Sequence, residues 1–259
     1  MTAVAALFLT LGTPQASWCQ LTEEEEEEPI LIPQEDLDEL LMWYVDGKFE
    51  KVLFKAIRYT EDDEQGKHPM PYLFMAKAYF SIHNSDDAEL RETYEVDKMK
   101  ALKNSLKYAN KFIKKDKELE FLHLEQEFME ELRLETIVAA ETEMDNEKYT
   151  KAKSYYKYLV SLDEEDPGAH LVMGTIYLLL NAKRDADIEW DIARNLLKDQ
   201  QGRGLTEGQQ ALLLDAFVLT IEKLDAAGDR AGATSWFPLG DELLGGNREY
   251  EAVKRSIGG

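Results

Sequence analysis

Residues 167–198 read PGAHLVMGTIYLLLNAKRDADIEWDIARNLLK. Two spacings in this stretch decide the fold: His170-x2-Met173-Gly174-x2-Tyr177, then Ala186-x3-Trp190-x2-Ala193. Each sets small, apolar and aromatic side chains three or four positions apart, which is the spacing of one helix face. A small residue at Gly174 lets the first helix approach the second, and the aromatics at Tyr177 and Trp190 fill the space between neighbours. The order recurs at a distance of 34 residues, where Ala152, Tyr156 and Leu159 precede Ala186, Trp190 and Ala193, and Ala140 precedes Gly174. Outward from this stretch, no glycine lies between Gly66 and Gly168 and no proline between Pro71 and Pro167. A β-rich domain needs those residues at its turns every 8 to 12 positions or so, so the region is expected to be helical.

A period of 34 residues carrying W-x2-L-G-x2-Y, then A-x3-F and a late Pro, is the tetratricopeptide-repeat pattern. The chain resembles that family, with Met173 standing for Leu, Trp190 for Phe and only His170 differing in kind. A second match is Tyr72-x2-Met75-Ala76-x2-Tyr79, directly after Pro69 and Pro71. A weaker copy lies at residues 36–60, with Leu40 and Trp43, the turn Asp46-Gly47-Lys48-Phe49, and Val52 and Ala56. The resemblance covers residues 36–198. It implies an all-α fold, an antiparallel helix-pair solenoid (a TPR-like superhelix) closed by C-terminal capping helices.

Some segments depart from the pattern. Residues 81–96, SIHNSDDAELRETYEV, are too long for an inter-helix turn and are expected to be an insertion or an extended helix end. Residues 117–145 hold no Pro or Gly and read as one long helix. After the Gly-rich link at 201–204, Thr206 and Gln209 form a capping box for a helix over residues 207–226, and Gly228-Asp229 turns the chain. The expected organisation is a signal peptide at 1–19, an acidic spacer at 20–34, TPR-like repeats at 35–200, and a degenerate repeat with a cap at 201–259.

The chain has 52 acidic and 30 basic residues, a net charge of −22. Phosphate neutralisation demands the opposite field, so nucleic acid is excluded as a partner. The first twenty residues hold no charge, and the apolar run AVAALFLTL at 3–11 has the length of a signal-peptide h-region, too short to span a bilayer. Ser17 and Cys19 supply small side chains for a cut before Gln20, although no Lys or Arg precedes the run; a buried N-terminal helix is the competing reading. Cys19 is also a candidate lipidation site, against which Trp18 stands immediately before it. Residues 23–28 are six consecutive glutamates, an extended, solvated spacer.

Chemistry is sparse. None of the four histidines pairs at the i, i+4 spacing of a zinc helix, Ser154-x-x-Lys157 lies between packing positions, and Gly202-x-Gly204 has no P-loop lysine. No catalytic, cofactor-binding or metal-ligating residue is expected. One helix face is basic: Lys100, Lys103, Lys107, Lys111 and Lys114 form a stripe. Residues 118–147 carry eleven acids, and a helical hairpin would pair the two blocks, the alternative being an acidic partner.

In the repeat family the first helix of each unit lines a concave groove. Matched positions place Leu37, Leu41, Tyr44, Leu73, Lys77, Phe80, Leu171, Thr175 and Leu178 there, unless the long helix or the cap covers them. The mainly apolar set suits an inserted helix or extended segment of another protein. The reading is a non-enzymatic, exported protein-interaction scaffold at a periplasmic or outer-membrane-associated assembly, without cofactor or transmembrane span. A lipid-anchored assembly factor is the alternative, and a helical hydrolase or lyase with a carboxylate site is a third.

Overall fold

The computed structural model describes residues 32–199 and 204–258, and every regular element among them is helical, with no strand. In chain order the helices are α1 (Gln34–Val45), α2 (Phe49–Glu61), α3 (Met70–His83), α4 (Ala88–Thr93), α5 (Lys100–Lys115), α6 (Gln126–Asp145), α7 (Tyr149–Leu162), α8 (Pro167–Leu179), α9 (Lys183–Asp199), α10 (Glu207–Ala226), α11 (Arg230–Thr234), α12 (Phe237–Leu244) and α13 (Arg248–Gly258). Residues 1–19, the Cys19 site and the glutamate run lie outside the described residues. Ile32, placed by the sequence reading in the spacer, is buried in a core cluster with Leu40, Val52 and Met75.

Helices pack in chain order: α1 on α2, α2 on α3, α3 on α5, α6 on α7, α7 on α8, and α8 on both α9 and α10. One joint recurs. At Gly47, Glu147, Asn181 and Gly228 the backbone turns left-handed, with φ of 72°, 57°, 59° and 81°. In each case the next N–H returns to a carbonyl five residues back: Lys48 to Trp43, Lys148 to Glu143, Ala182 to Tyr177 and Asp229 to Leu224, at 2.8 to 2.9 Å. This six-to-one closure satisfies a carbonyl orphaned at the helix end and starts the return helix two residues later. Joints at 147 and 181 are one 34-residue period apart.

Between α3 and α5 that joint is replaced. Asp87 caps α4 through the N–H groups of Glu89 and Leu90, and Glu95 and Met99 take positive φ before α5. This is the expected insertion. Residues 117–145, in contrast, are not one helix. Asp116 is buried at the end of α5 and its carboxylate accepts the N–H groups of Glu120, Phe121 and Leu122 at 2.7 to 3.0 Å. Those bonds hold a turn, with Leu119 left-handed, and α6 begins only at Gln126. A single carboxylate satisfying three backbone donors breaks the helix without Pro or Gly. His123 sits in that turn, its Nδ1 2.8 Å from the Leu119 carbonyl.

The spacing read at 167–198 is realised in packing. A Cβ on Gly174 would lie 2.3 Å from the Trp190 ring, so only glycine admits the indole between α8 and α9. The Trp190 Nε1–H donates to the Leu171 carbonyl at 3.3 Å. Asp166 caps α8 and Pro167 occupies its first turn. At the C-terminal side, the Thr206–Gln209 capping box and the helix over 207–226 are as expected.

His170, the departure from the repeat pattern, is buried with Nδ1 2.7 Å from Glu189 Oε2. Burial pushes its imidazole down, but the Glu189 hydrogen bond and charge outweigh this, and its pKa stands above the ordinary 6.5. A raised folded-state pKa gives stability that is full below the unfolded value and is lost as pH rises through the folded one. Urea denaturation of the wild type and His170→Gln should therefore differ more at about pH 6 than at about pH 8.5. An equal difference at both would remove the ion pair from the account.

Candidate protein-interaction grooves

Helix α6 stands as a ridge between two grooves. The first, of about 620 Å³, lies between α1, α3 and α6. Tyr44, Lys77 and Phe80, three of the residues assigned from the repeat register, meet here with Leu124, Glu125 and Phe128. Phe80 and Phe128 pack edge to face with centroids 5.8 Å apart. The Lys77 ammonium lies over both Tyr44 and Phe128 and donates to Glu125 Oε2 at 2.6 Å. Tyr44 Oη and Ser81 Oγ are 3.1 Å apart. The lysine is thus already neutralised and stacked, so this groove offers aromatic surface rather than a free charge.

A second, larger groove of about 880 Å³ runs between the 117–125 turn, α6, the end of α7 and the start of α10. Leu119, Leu122, Met129, Leu134 and Leu162 give it a mainly apolar lining. Leu119 is 53% exposed and Leu134 51%. One wall is residues 206–209, where Gly208 faces the ends of the Glu130 and Arg133 side chains. Gln209 ties that wall to the α7–α8 turn, its Nε2 donating to Asp163 Oδ2 at 2.6 Å.

Arg133 forms the floor. Its side chain is 10% exposed and its Nη2 donates at 2.8 Å to Asp166 Oδ2, whose side chain is 1% exposed. Asp166 Oδ1 accepts the Gly168 and Ala169 N–H groups, capping α8. Burial pushes the Asp166 carboxyl up, against the Arg133 hydrogen bond, the Arg133 charge and one backbone donor that lower it. Further along, burial raises Glu141 of α6, helped by the charges of Asp215 and Asp145. Among the described residues no group of three or more His, Cys, Asp or Glu could hold a metal ion. No helix among them is long and apolar enough to cross a membrane.

The remaining register positions separate. Leu41 is exposed on α1, while Leu37 and Leu178 are half-buried. Leu73, Leu171 and Thr175 line neither of these two grooves. Leu73 belongs to the buried cluster that includes Phe128 and Leu132 of α6, and α10 covers α8, with Thr175 Oγ1 2.8 Å from Thr220 Oγ1. The covering helices that the sequence reading left open are therefore in place there. Leu119, Met129, Leu134 and Leu162 went unassigned because three separate segments bring them together. The available signal was the pair Leu134 and Val138, apolar at i and i+4 on the polar face of α6 and both exposed.

The lysine stripe of α5 is also where the sequence placed it, but its expected partners are not. Lys100 pairs with Glu95. Lys103 lies over the Tyr155 ring at 5.4 Å, Lys107 over Tyr108 at 5.1 Å, and Lys111 over Tyr72 and Tyr108 at 5.6 Å. Acids of the 118–147 block pair elsewhere: Glu125 with Lys77, Glu130 with Arg133, Glu135 with His83, and Glu143 with Lys148 and Lys151. The intramolecular hairpin pairing fails because α5 packs mainly on α3 and α7 rather than on α6.

Comparison with family models, curated proteins and solved structures finds no match to this chain.

Proposed function

We propose that the chain is a non-enzymatic protein-interaction scaffold of TPR-like helix pairs, arranged as a solenoid, that receives an apolar segment of a partner protein. The observation that carries this reading is the groove beside α6, where exposed Leu119 and Leu134 flank Met129 and Leu162 above an internally neutralised Arg133. Exposed leucines aligned along a cleft are the usual mark of an interface rather than of a solvated surface. A helix presenting apolar side chains at i, i+3 and i+7 suits such a cleft. Export to a periplasmic or outer-membrane-associated assembly rests on residues 1–19, and the lipid-anchored alternative rests on Cys19.

The test is site-specific photo-cross-linking in the native cell. A photo-reactive residue at Leu134 is expected to capture one partner, and Leu119→Glu in the same chain to cut that capture at least about tenfold, since a buried unpaired carboxylate opposes binding. The same probe at Ile188, exposed on α9, serves as the control. Equal capture from both positions would remove the groove from the reading.

A further inference from the structure

The larger groove beside α6 carries a charge pattern as well as an apolar lining. Three of the residues that line it are acids, Glu130, Asp163 and Glu207, whereas its one arginine, Arg133, is committed to Asp166 at 2.8 Å. All three acids gather around the start of α10: Gly208 faces the Glu130 carboxylate, Glu207 precedes it, and Gln209 donates to Asp163. Leu134 stands one turn along α6 from Glu130. We infer that the segment received here is an amphipathic helix with lysine or arginine within about one turn of its apolar side chains; the inference rests on the groove being a protein-interaction site.

Among the described residues the charge of these acids is not cancelled. Arg133 Nη1 lies 3.5 Å from Glu130 Oε1 and makes no hydrogen bond, so one positive charge faces both Glu130 and Asp166. Asp163 accepts from Gln209 Nε2 at 2.6 Å and from the Glu165 N–H at 3.0 Å, both neutral donors. Glu207 lies in the first turn of α10, whose N-terminus offsets only a fraction of a charge. Helix α6 itself carries seven acids and one base. A partner that covers the groove strips water from these carboxylates. A neutral segment leaves that cost standing, an acidic one adds repulsion, and a second copy of this chain brings another net charge of −22. A basic segment supplies the counter-charge and accelerates encounter. Its lysine or arginine stems extend the apolar contact while their heads reach the acids.

Three short fluorescent peptides, titrated with the full chain and read by anisotropy, test this. Each has leucines at i, i+3 and i+7, followed within a turn by three residues that are all Lys, all Gln or all Glu. At about 50 mM salt the Lys peptide should bind at least about tenfold more tightly than the Glu peptide, with the Gln peptide between them. The gap should close to about twofold at about 1 M salt, where the screening length is about 3 Å. Glu130→Gln with Glu207→Gln should bring the three affinities within about twofold of one another. Glu89→Gln with Glu92→Gln, which removes the same charge from α4, should keep the ranking. Leu119→Ala with Leu134→Ala should weaken all three peptides. If the peptides bind alike and the leucine pair still weakens them, the basic partner is overturned and the groove stands. If none binds, or the leucine pair changes nothing, the groove reading falls as well. Loss of the ranking in the α4 variant would assign the preference to net charge, and a dimer of the free chain that the leucine pair dissociates would assign the groove to a second copy; either result overturns the proposal.

Discussion

Replacing Arg133 by alanine is expected to cost about 3–5 kcal/mol of unfolding free energy, because it leaves a buried carboxylate unpaired. Asp166 is 1% exposed and keeps only two backbone N–H partners once the guanidinium is removed. Its carboxyl is already pushed up by burial, and losing Arg133 pushes it further. A carboxyl whose folded pKa exceeds its unfolded value opposes folding at neutral pH and ceases to do so as pH falls into the carboxylate range. The defect of Arg133→Ala should therefore shrink between about pH 7 and about pH 4.5 in urea titrations followed by circular dichroism. Arg133→Met combined with Asp166→Asn should recover most of the loss, since asparagine still caps α8 and no charge remains. If the double variant were as unstable as Arg133→Ala, the cost would lie in packing rather than in an unpaired charge.

The second large effect is at the α8–α9 contact. Trp190→Ala empties a site filled by a buried indole and is expected to cost about 3–5 kcal/mol. The reciprocal change, Gly174→Ala, adds one methyl group where the Trp190 ring stands 2.3 Å from the required Cβ; overpacking of this kind costs about 1–3 kcal/mol. The two positions are coupled. Trp190→Ala removes both ring atoms, Cδ1 and Nε1, that the new methyl would strike, so Gly174→Ala should cost less in that background than in the wild type. Thermal melts of the four proteins measure the coupling, and strict additivity would mean that glycine is present at 174 for another reason.

Much of this was legible from 167–198 because Gly174 and Trp190 act locally, one helix turn facing another. The capping box at Thr206 and Gln209 was legible for the same reason. The α5–α6 break was not: Asp116 stops the helix through a side chain folding back on three later N–H groups, and nothing in its neighbours marks that use. The acid block could not be paired from sequence, since Lys77, His83 and Lys151, which take Glu125, Glu135 and Glu143, come from other helices. Tyr44, Lys77 and Phe80, taken from the register, line one cleft, but register could not show that α10 lies over Leu171 and Thr175. Covering depends on which helix follows and at what angle, and a single repeat's spacing holds no record of that.

The left-handed joints have a further consequence. Gly47 and Gly228 adopt this backbone freely, whereas Glu147 adopts it at a side-chain cost of about 1–2 kcal/mol. Hydrogen bonds that close all four turns run between backbone atoms alone. The hydrogen bonding of the hand-over is consequently independent of the side chain at the joint, which sets only the conformational cost of the bend. The joints at 147 and 181 therefore repeat one backbone geometry over two different side chains, a glutamate and an asparagine.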